Sequence, residues 1–435
     1  MAFAGVVNLM KRILTLTFSC LVLGALGQVR PNESNLDEAK VPPYTLPDPL
    51  VCLDGTRVSS AQVWEAKRRP ELIKILEREI YGRAPERPRG LHFAIASCAT
   101  NALGGTATRK EITVWFTRGT NEPSLNLLLY LPNAAVKPVP AFLGLNFNGN
   151  HAINADPEIK LSDRWFPPAK NGSVVNNRAT EAARGKEASQ WPVGKILAHG
   201  YALATVYYGD VEPDWTNGWK NGVRAALSRA GTNTVFRPDE WGAISAWAWG
   251  LSRALDYLET DRAIDARRVA VIGHSRLAKT ALWAGAQDRR FGLVVVNESG
   301  EGGAAIARRW YGETTALINL RFPHWFDGNY KKYSNRENEM PTDQHEVVAL
   351  IAPRPVYIAS AEGDQWSDPR GEFLGAKGAE PVYQLYHEAG TGVAALPATN
   401  QPVGDFIRYH VRTGKHNLND FDWEQYLMFA DRHFH

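Results

Sequence analysis

The chain has 435 residues, 44% of them hydrophobic and 22% charged, which is a globular composition long enough for one large domain or two ordinary ones. Its 49 Lys and Arg against 46 Asp and Glu leave a formal net charge of only +3. Because no block of basic residues is present either, the chain lacks the electrostatic footprint of a nucleic-acid-binding protein, and we expect no nucleic-acid partner.

The N-terminus has the composition of a secretory signal peptide. Lys11 and Arg12 form a charged region, Ile13–Leu26 an apolar region, and Ala25-Leu26-Gly27 a cleavage site of small residues. We predict that residues 1–27 are removed and that the protein is secreted or periplasmic; the pattern fits better if translation starts at Met10. The alternative is a membrane anchor, but the apolar run is shorter than the about 20 residues that span a bilayer. No other stretch is long and apolar enough to span one, so we expect no membrane association after cleavage.

The chain contains few cysteines. Cys20 lies in the apolar N-terminal run and leaves with it, whereas Cys52 and Cys98 stay. These two could pair in an oxidising compartment or remain as free, buried thiols, and the sequence leaves both options open. The count argues against a disulfide scaffold and a cysteine-based zinc site. No H-E-x-x-H motif occurs, so we expect no catalytic metal and no other cofactor.

Helix and strand patterns begin after residues 28–50, a polar, proline-containing stretch that we interpret as an N-terminal linker. Glu71–Tyr81 has apolar residues at helical spacing, and helical patterns recur at Gly242–Leu258 and Leu277–Ala286. Runs typical of strands are Leu91–Ser97, Glu111–Thr117, Leu125–Leu131, Ala141–Phe147, Ala202–Tyr208, Arg268–Ile272, Leu293–Val296, Val356–Ser360 and Val382–Tyr386.

Alternating strands followed by buried apolar strands interleaved with helices predict an α/β fold of the α/β-hydrolase type. We expect a three-layer αβα sandwich with a mostly parallel central sheet, in a single catalytic domain over 51–435. The polar, tryptophan-rich segment 163–241 has little periodicity outside Ala202–Tyr208. We interpret this segment as a loop insertion on the catalytic face.

A candidate nucleophile lies in Val269–Thr280, which is VAVIGHSRLAKT. An apolar run leads into Gly273, and a helical pattern starts directly after Ser275. A strand that reverses into a helix with serine at the apex is the nucleophile elbow of α/β-hydrolases. The backbone N–H of the residue after the serine can serve there as an oxyanion donor. Leu277 stands where the usual G-x-S-x-G motif has its second glycine. A serine that only caps the helix is therefore the alternative interpretation.

The nucleophile needs a histidine base, which in this fold follows the last strand. That strand is predicted to end near His387, so the candidates are His410, His416, His433 and His435. His410 lies in Phe406–Val411, a run with a helix-like pattern, and the terminal pair lies in the final helical pattern. His416 lies in a loop and is the preferred base.

Two acids could orient the base. Glu298 follows the strand predicted at Leu293–Val296. Asp364, with Glu362 nearby, follows the strand predicted at Val356–Ser360, which is the more common position in this fold. The residues by themselves leave both positions open.

Two cations, Arg276 and Lys279, fall in the first turn of the helix after Ser275. The helix dipole is positive there, so each placement is unfavourable by about 0.3–1 kcal/mol. We therefore expect something negative nearby: a developing oxyanion, a substrate carboxyl group or an acidic side chain. The alternative is that both side chains only point to solvent or pair with surface carboxylates.

Four motifs occur in the order in which one enzyme family has them. Gly273–Lys279 is similar to the G-x-S-R-x-G-K signature of glucuronoyl esterases, with Ala278 in place of the family's glycine. Asn297–Gly303, Leu350–Pro355 and Gly414–His416 match as well. The chain thus resembles bacterial-type glucuronoyl esterases, a family of carbohydrate esterases also called 4-O-methyl-glucuronoyl methylesterases.

The resemblance implies a serine esterase that works through an acyl-enzyme. Its substrate would be the ester between glucuronic acid, or 4-O-methyl-glucuronic acid, on glucuronoxylan and a lignin-derived alcohol. The implied catalytic residues are Ser275 as nucleophile, His416 as base, Glu298 as main acid, Asp364 as assisting acid and Arg276 as oxyanion donor. The implied sugar-binding residues are Lys279, Glu313 and Trp366.

This carbohydrate ester and the alcohol are the expected partners, and we expect a monomer. One alternative is another secreted carbohydrate esterase, such as an acetyl-xylan esterase, but an acetyl ester has no need of the basic cluster after Ser275. A second alternative is a non-catalytic carbohydrate-binding protein. The presence of Ser275, His416 and Glu298 argues against that class.

Overall fold

The computed structural model describes residues 33–120, 123–228 and 230–434. The predicted signal peptide, residues 1–27, and the alternative start at Met10 lie outside the described residues, as does the first part of the predicted linker. Within these ranges, no helix is both long enough and apolar enough to cross a membrane.

Twelve strands occur in the described ranges, and ten of them form one sheet. The strands are β1 His92–Ala102, β2 Ala107–Trp115, β3 Ser124–Pro132, β4 Val139–Asn146, β5 Val174–Val175, β6 Arg178–Ala179, β7 Ala202–Tyr207, β8 Ile264–His274, β9 Leu293–Asn297, β10 Val356–Ala361, β11 Val403–Gly404 and β12 Ile407–Arg412. β5 and β6 form a separate two-stranded sheet inside the inserted segment.

The α-helices of the same ranges lie mainly between the parallel strands and after them. They are α1 Ala61–Val63, α2 Arg69–Glu79, α3 Asn150–Ile153, α4 Val193–Ala198, α5 Tyr208–Val211, α6 Val223–Leu227, α7 Ala243–Leu258, α8 Arg276–Gln287, α9 Thr315–Arg321, α10 Gln344–Ala349, α11 Pro369–Gln384 and α12 Asp420–Phe434.

The large sheet has the strand order β1-β2-β3-β7-β4-β8-β9-β10-β12-β11. Its first strands, β1 to β3, are antiparallel neighbours, and β3 pairs antiparallel with β7. From β7 to β12 every neighbouring pair is parallel, and β11 ends the sheet antiparallel. The predicted mostly parallel central sheet is confirmed.

Helices cover both faces of the sheet because its parallel strands are apolar on both sides. In β8, Val269 and Val271 belong to the core that includes α7, α8 and α10. Ala270 and Ile272, which point to the opposite face, belong to the core that includes α4 and α12. The sheet between these two cores makes the three-layer αβα sandwich expected of an α/β-hydrolase.

The predicted strand at Val382–Tyr386 is wrong. These residues form the last part of α11 and the turn after it. Val382 and Tyr383 belong to α11, and their side chains are buried in the core. A short apolar run does not distinguish a strand from a buried helix end, and tertiary packing decides between them.

The helix suggested by the pattern at Phe406–Val411 is also wrong, because residues 407–411 belong to β12. Ile407, Tyr409 and Val411 alternate into the core, with the period of two that a strand requires. The last parallel strand is therefore β12, later in the chain than predicted. His416 still follows it, so the choice of base does not change.

Neither of the two remaining cysteines is paired. Cys52 is buried, whereas Cys98 on the edge strand β1 is exposed. The disulfide considered for them is not formed. The alternative of two buried thiols holds for Cys52 and is wrong for Cys98.

Trp423 of α12 allows a test of the smaller core. Its fully buried ring lies edge-on to Phe142, with ring centroids 5.3 Å apart, and its Nε1 donates to the Gln190 carbonyl at 2.7 Å. We expect Trp423→Ala to lower the free energy of unfolding by about 3–5 kcal/mol, because a cavity remains in a packed core. Urea denaturation measures this loss. The control is Met428→Ala, at an exposed position of the same helix, with an expected change within about 0.5 kcal/mol. Equal losses in both variants would contradict the prediction.

Candidate active site

Ser275 lies at the carboxyl end of β8, where the chain turns into α8. Its φ of 59° and ψ of −131° are a strained conformation for a non-glycine residue, as a nucleophile elbow requires. Its N–H donates to the Asn297 carbonyl at 2.9 Å, which ties the turn to β9. A Cβ on Gly273 would lie 1.9 Å from the Leu277 carbonyl oxygen, so only glycine fits there. Leu277 itself buries its side chain in the core.

His416 lies in the loop between β12 and α12, beside the elbow. Its ring centroid is 4.5 Å from that of His274, the residue before Ser275. Its Nδ1 is 2.6 Å from Asp364 Oδ2 and 3.0 Å from Glu298 Oε2. The fold thus brings both candidate acids to the same nitrogen, and the nearer one is Asp364.

The two acids differ in the direction in which their pKa values are shifted. Burial by itself lowers the pKa of His416, but hydrogen bonds to Asp364 and Glu298 outweigh it and raise the pKa to about 9. Burial alone would raise the pKa of Asp364, yet the hydrogen bond from His416 leaves that pKa below its usual value. Burial raises the pKa of Glu298 to about 7, although His416 and Arg412 act in the opposite direction. Of the two carboxyl groups beside His416, Asp364 therefore has the lower pKa.

Glu298 also anchors the loop that carries His416. It follows β9 with a φ of 51° and accepts the Asn417 N–H at 3.0 Å. The same carboxylate lies 2.5 Å from Arg412 Nη2, and Arg412 Nε lies 2.8 Å from Asp422 of α12. Glu298 therefore joins three elements around His416, a role that its sequence position did not reveal.

Two other histidines near the site have hydrogen-bond partners of their own. His410 on β12 is buried, with Nε2 3.0 Å from Asp422 and Nδ1 2.9 Å from the Tyr357 hydroxyl. His274 is buried and has its Nδ1 2.6 Å from Asn297 Oδ1. Burial, together with the charge of His416, lowers the pKa of His274 to about 3. His274 is therefore neutral beside His416.

Arg276, the first residue of α8, is paired with Asp214 of the inserted segment through Nη1. The guanidinium carbon lies 4.9 Å from the Trp325 ring centroid, with Phe322 and Phe147 at 5.6 and 5.7 Å. Its Nε is buried and has no acceptor among the described residues. The sequence predicted a negative group near this cation, and Asp214 is that group. It lies 62 residues earlier in the chain, in a segment whose lack of periodicity gave no way to identify it from the sequence.

Lys279 is buried one turn further along α8. Its Nζ donates to the carbonyls of Ser299 and Glu301 at 2.6 and 2.7 Å and to Glu313 Oε2 at 3.1 Å. An ammonium group has three donors, so all of them are in use. Its Nζ is also 5.9 Å from the Trp325 ring centroid, on the same side of α8 as Arg276, in agreement with their helical spacing.

Glu313 and Trp366 adjoin Lys279. The Glu313 N–H donates to the Trp366 carbonyl at 2.7 Å. Glu313 Oε2 accepts from Lys279, while Oε1 makes no hydrogen bond within the described part of the chain. The half-buried Trp366 ring has the Arg321 guanidinium 4.7 Å from its centroid. The three residues that the resemblance assigned to the sugar thus form one connected group.

Part of the predicted linker packs behind this group. Ser34 Oγ donates to the Gly312 carbonyl at 2.6 Å, and the Gly312 N–H donates to the Asn35 carbonyl at 2.8 Å. Glu38 lies 2.5 Å from Arg309 Nη2. Residues 33–38 therefore support the loop that carries Glu313. Their polar composition alone did not indicate this contact.

One set of side chains in the described ranges has the spacing of a metal site. His274, Glu298 and His416 each place a ligand atom within 4.8 Å of the others. Imidazole and carboxylate donors suit zinc. In the structure Glu298 accepts from Asn417 and Arg412, and His416 is hydrogen-bonded to Asp364, so the donor atoms of both residues already have protein partners.

Several known proteins are similar to this chain in sequence and in fold. A sequence model of the family described as glucuronyl esterase, fungi, matches residues 230–386. The carbohydrate esterase MZ0003, from an unknown prokaryotic organism, is 47% identical over 404 residues, which cover 93% of each chain. The 4-O-methyl-glucuronoyl methylesterase 1 of Wolfiporia cocos is 26% identical over 84% of this chain and 81% of its own. The solved glucuronoyl esterase from Solibacter usitatus is 54% identical with a TM-score of 0.86, covering 91% of this chain and 100% of its own. The chain therefore belongs to the glucuronoyl esterase family of carbohydrate esterases and is a carboxylic ester hydrolase.

Proposed function

We propose that this enzyme hydrolyses esters of glucuronic acid or 4-O-methyl-glucuronic acid through Ser275 and His416, with Asp364 and Glu298 orienting the histidine. The observation that carries the proposal is the position of His416, beside the elbow and with both carboxylates at Nδ1. Nε2 is then the nitrogen that faces the serine. The methylesterase activity named for the Wolfiporia cocos relative supports the glucuronoyl ester as substrate.

In the proposed mechanism, His416 Nε2 takes the Ser275 proton while Oγ attacks the C6 carbonyl of the uronate. The backbone N–H of Arg276, at the unpaired start of α8, and the Arg276 guanidinium meet the oxyanion that forms. His416 then gives its proton to the departing alcohol, leaving an acyl-enzyme. Water attacks the acyl-enzyme, gives a proton to His416, and releases glucuronate as Ser275 regains its proton.

The group formed by Lys279, Glu313 and Trp366 supports a sugar acid as the acyl part of the ester. Glu313 Oε1 is available to accept a sugar hydroxyl, and the half-buried Trp366 ring offers an apolar surface to the sugar ring. Because the three donors of Lys279 are in use, Lys279 acts by holding Glu313 and by its charge. The leaving group in the proposal is a lignin-derived alcohol. A small acetyl ester would not reach Glu313, which is why an acetyl-xylan esterase remains the second candidate only.

Ser275→Ala and His416→Ala should each lower kcat on benzyl glucuronate by on the order of 10⁴–10⁶-fold, because members of a triad act as a unit. Far-UV CD should show an unchanged fold. His199→Ala, at an exposed histidine far from the elbow in the chain, is the matched control and should leave kcat unchanged. A near-wild-type rate for His416→Ala together with a lost rate for His410→Ala would move the base to His410.

The two carboxylates predict a particular pH dependence. With the pKa of His416 at about 9, the base is protonated at neutral pH, so kcat/KM should rise with pH up to about 9. Asp364→Asn removes the nearest negative charge, lowers the pKa of His416, and should shift the rising limb to lower pH. The measurement is the pH profile of kcat/KM for both proteins. An unshifted limb would exclude Asp364 as the partner.

The same variants measure how the two acids share their role. Asp364→Asn should lower kcat by roughly 10²-fold, less than the about 10⁴-fold loss of a triad with a single acid, since Glu298 stays within reach of Nδ1. The double variant with Glu298→Gln should lose more than the product of the two single losses. Strictly multiplicative losses would show that the acids act independently.

Glu313→Gln should lower kcat/KM on benzyl glucuronate by about 5–150-fold, the equivalent of a lost hydrogen bond of about 1–3 kcal/mol to a sugar hydroxyl. Hydrolysis of 4-nitrophenyl acetate, which has no sugar, should not change. Glu362→Gln, at an exposed acid bound to Thr399, is the control for both esters. Equal losses on the two esters, or a wild-type preference for acetylated xylan, would favour the acetyl-esterase alternative.

A further inference from the structure

Asp214 is the charge partner of Arg276. It follows α5 in the inserted segment, and its side chain is 3% exposed. Oδ2 accepts from Arg276 Nη1, and Oδ1 accepts from His324 Nε2 and from Trp325 Nε1, both at 2.8 Å. The Tyr208 hydroxyl lies 3.3 Å from Oδ2. Four donors thus converge on one buried carboxylate.

The carboxylate carries a full negative charge. Burial alone would raise the pKa of Asp214, but the hydrogen bond from His324, the charge of Arg276 and the hydrogen bond from Trp325 outweigh burial and leave the pKa below its usual value. The guanidinium beside the nucleophile is therefore neutralised by an ionised acid. Its orientation is also constrained, because Trp325 both donates to Asp214 and covers the Arg276 guanidinium.

This pairing bears on the product of ester hydrolysis. An unpaired guanidinium is the protein group best suited to bind a carboxylate, through two parallel N–H donors. Glucuronate, the product, is a carboxylate, whereas the ester substrate has no charge at C6. With Nη1 taken by Asp214 and Nε buried, Nη2 has no second accessible nitrogen beside it for a two-donor contact with a carboxylate, but Nη2 can still donate to a single oxyanion. A negative charge next to the guanidinium also repels the product and leaves the neutral ester unaffected.

We propose that Asp214 is a positioning residue that orients Arg276 toward the transition state and prevents it from binding the carboxylate product tightly. The inference rests on the proposed function, in which Arg276 meets the oxyanion and glucuronate is released. The inserted segment then contributes to turnover as well as to the surface of the catalytic face. The rings of Phe147 and Phe322, which belong to two other segments of the chain, also pack against the guanidinium. The position of Arg276 is therefore set by residues that are distant in the sequence.

Two substitutions separate the charge of Asp214 from its position. Asp214→Asn weakens the hydrogen bond that positions Arg276, so kcat on benzyl glucuronate should fall by about 10–100-fold. The same substitution removes the negative charge that repels glucuronate, so the Ki of glucuronate should become about tenfold lower, meaning tighter product binding. Asp214→Glu keeps the charge but displaces the carboxylate, so kcat should fall while Ki stays near the wild-type value. A purely structural role would not tighten product binding. Asp239→Asn, at a partly exposed acid of the same segment, should change neither quantity.

The outcomes also distinguish this inference from the proposed function. Arg276→Ala should lower kcat by about 10²–10³-fold, and adding Asp214→Asn to it should have no further effect on kcat or Ki. If Arg276→Ala leaves kcat unchanged, the oxyanion role proposed for Arg276 is wrong. If Arg276→Ala has its effect but Asp214→Asn leaves Ki unchanged, or Asp214→Glu keeps wild-type kcat, the inference about Asp214 is overturned. Far-UV CD of each variant identifies unfolding, and Asp214→Glu remains a test if Asp214→Asn does not fold.

Discussion

The buried ion pair between Glu298 and Arg412 links the strand next to the Ser275 elbow to the loop that carries His416. Taking both charges out of water is costly, so such a pair is stable only when its remaining donors and acceptors are satisfied. Arg412 meets this condition, because it also donates to Asp422 and to the carbonyls of three loop residues, Thr413, Lys415 and Asn417. The hydrogen bonds of the buried Arg412 guanidinium therefore fix the backbone of the loop around His416.

The parallel sheet explains why four side chains from separate parts of the sequence lie close together. Ser275, Glu298, Asp364 and His416 follow β8, β9, β10 and β12, four consecutive strands of the sheet. The carboxyl ends of parallel strands lie at the same edge, which is where open α/β sheets bind their ligands. Each residue needs only a short loop to reach the elbow. The positive φ values of Ser275 and Glu298 are local strain that the surrounding contacts maintain.

Charge balance is the second constraint on the site. Arg276 and Lys279 stand at the positive end of the α8 dipole, where cations are unfavourable. Each has its own acid, Asp214 and Glu313, which offsets this effect. The pairing leaves a site with positioned donors and little excess positive charge. Such a site suits a neutral ester that develops negative charge only in the transition state.

Local patterns were sufficient to predict the α/β sandwich, the elbow at Ser275 and the loop position of His416. A strand-to-helix turn and alternating or continuous apolar runs are properties of neighbouring residues, so the sequence shows them directly. Both acids next to His416 were also among the candidates, because each follows a predicted strand. The resemblance to glucuronoyl esterases added the residues assigned to the sugar.

Tertiary structure alone decided the rest, because it depends on residues far apart in the chain. The segments Val382–Tyr386 and Phe406–Val411 have ambiguous periods, and only packing against the sheet makes one a helix end and the other a strand. Asp214 joins Arg276 across 62 residues, and residues 33–38 contact a loop more than 270 residues later. No local signal marks such contacts, since they follow from which strands become neighbours in the sheet.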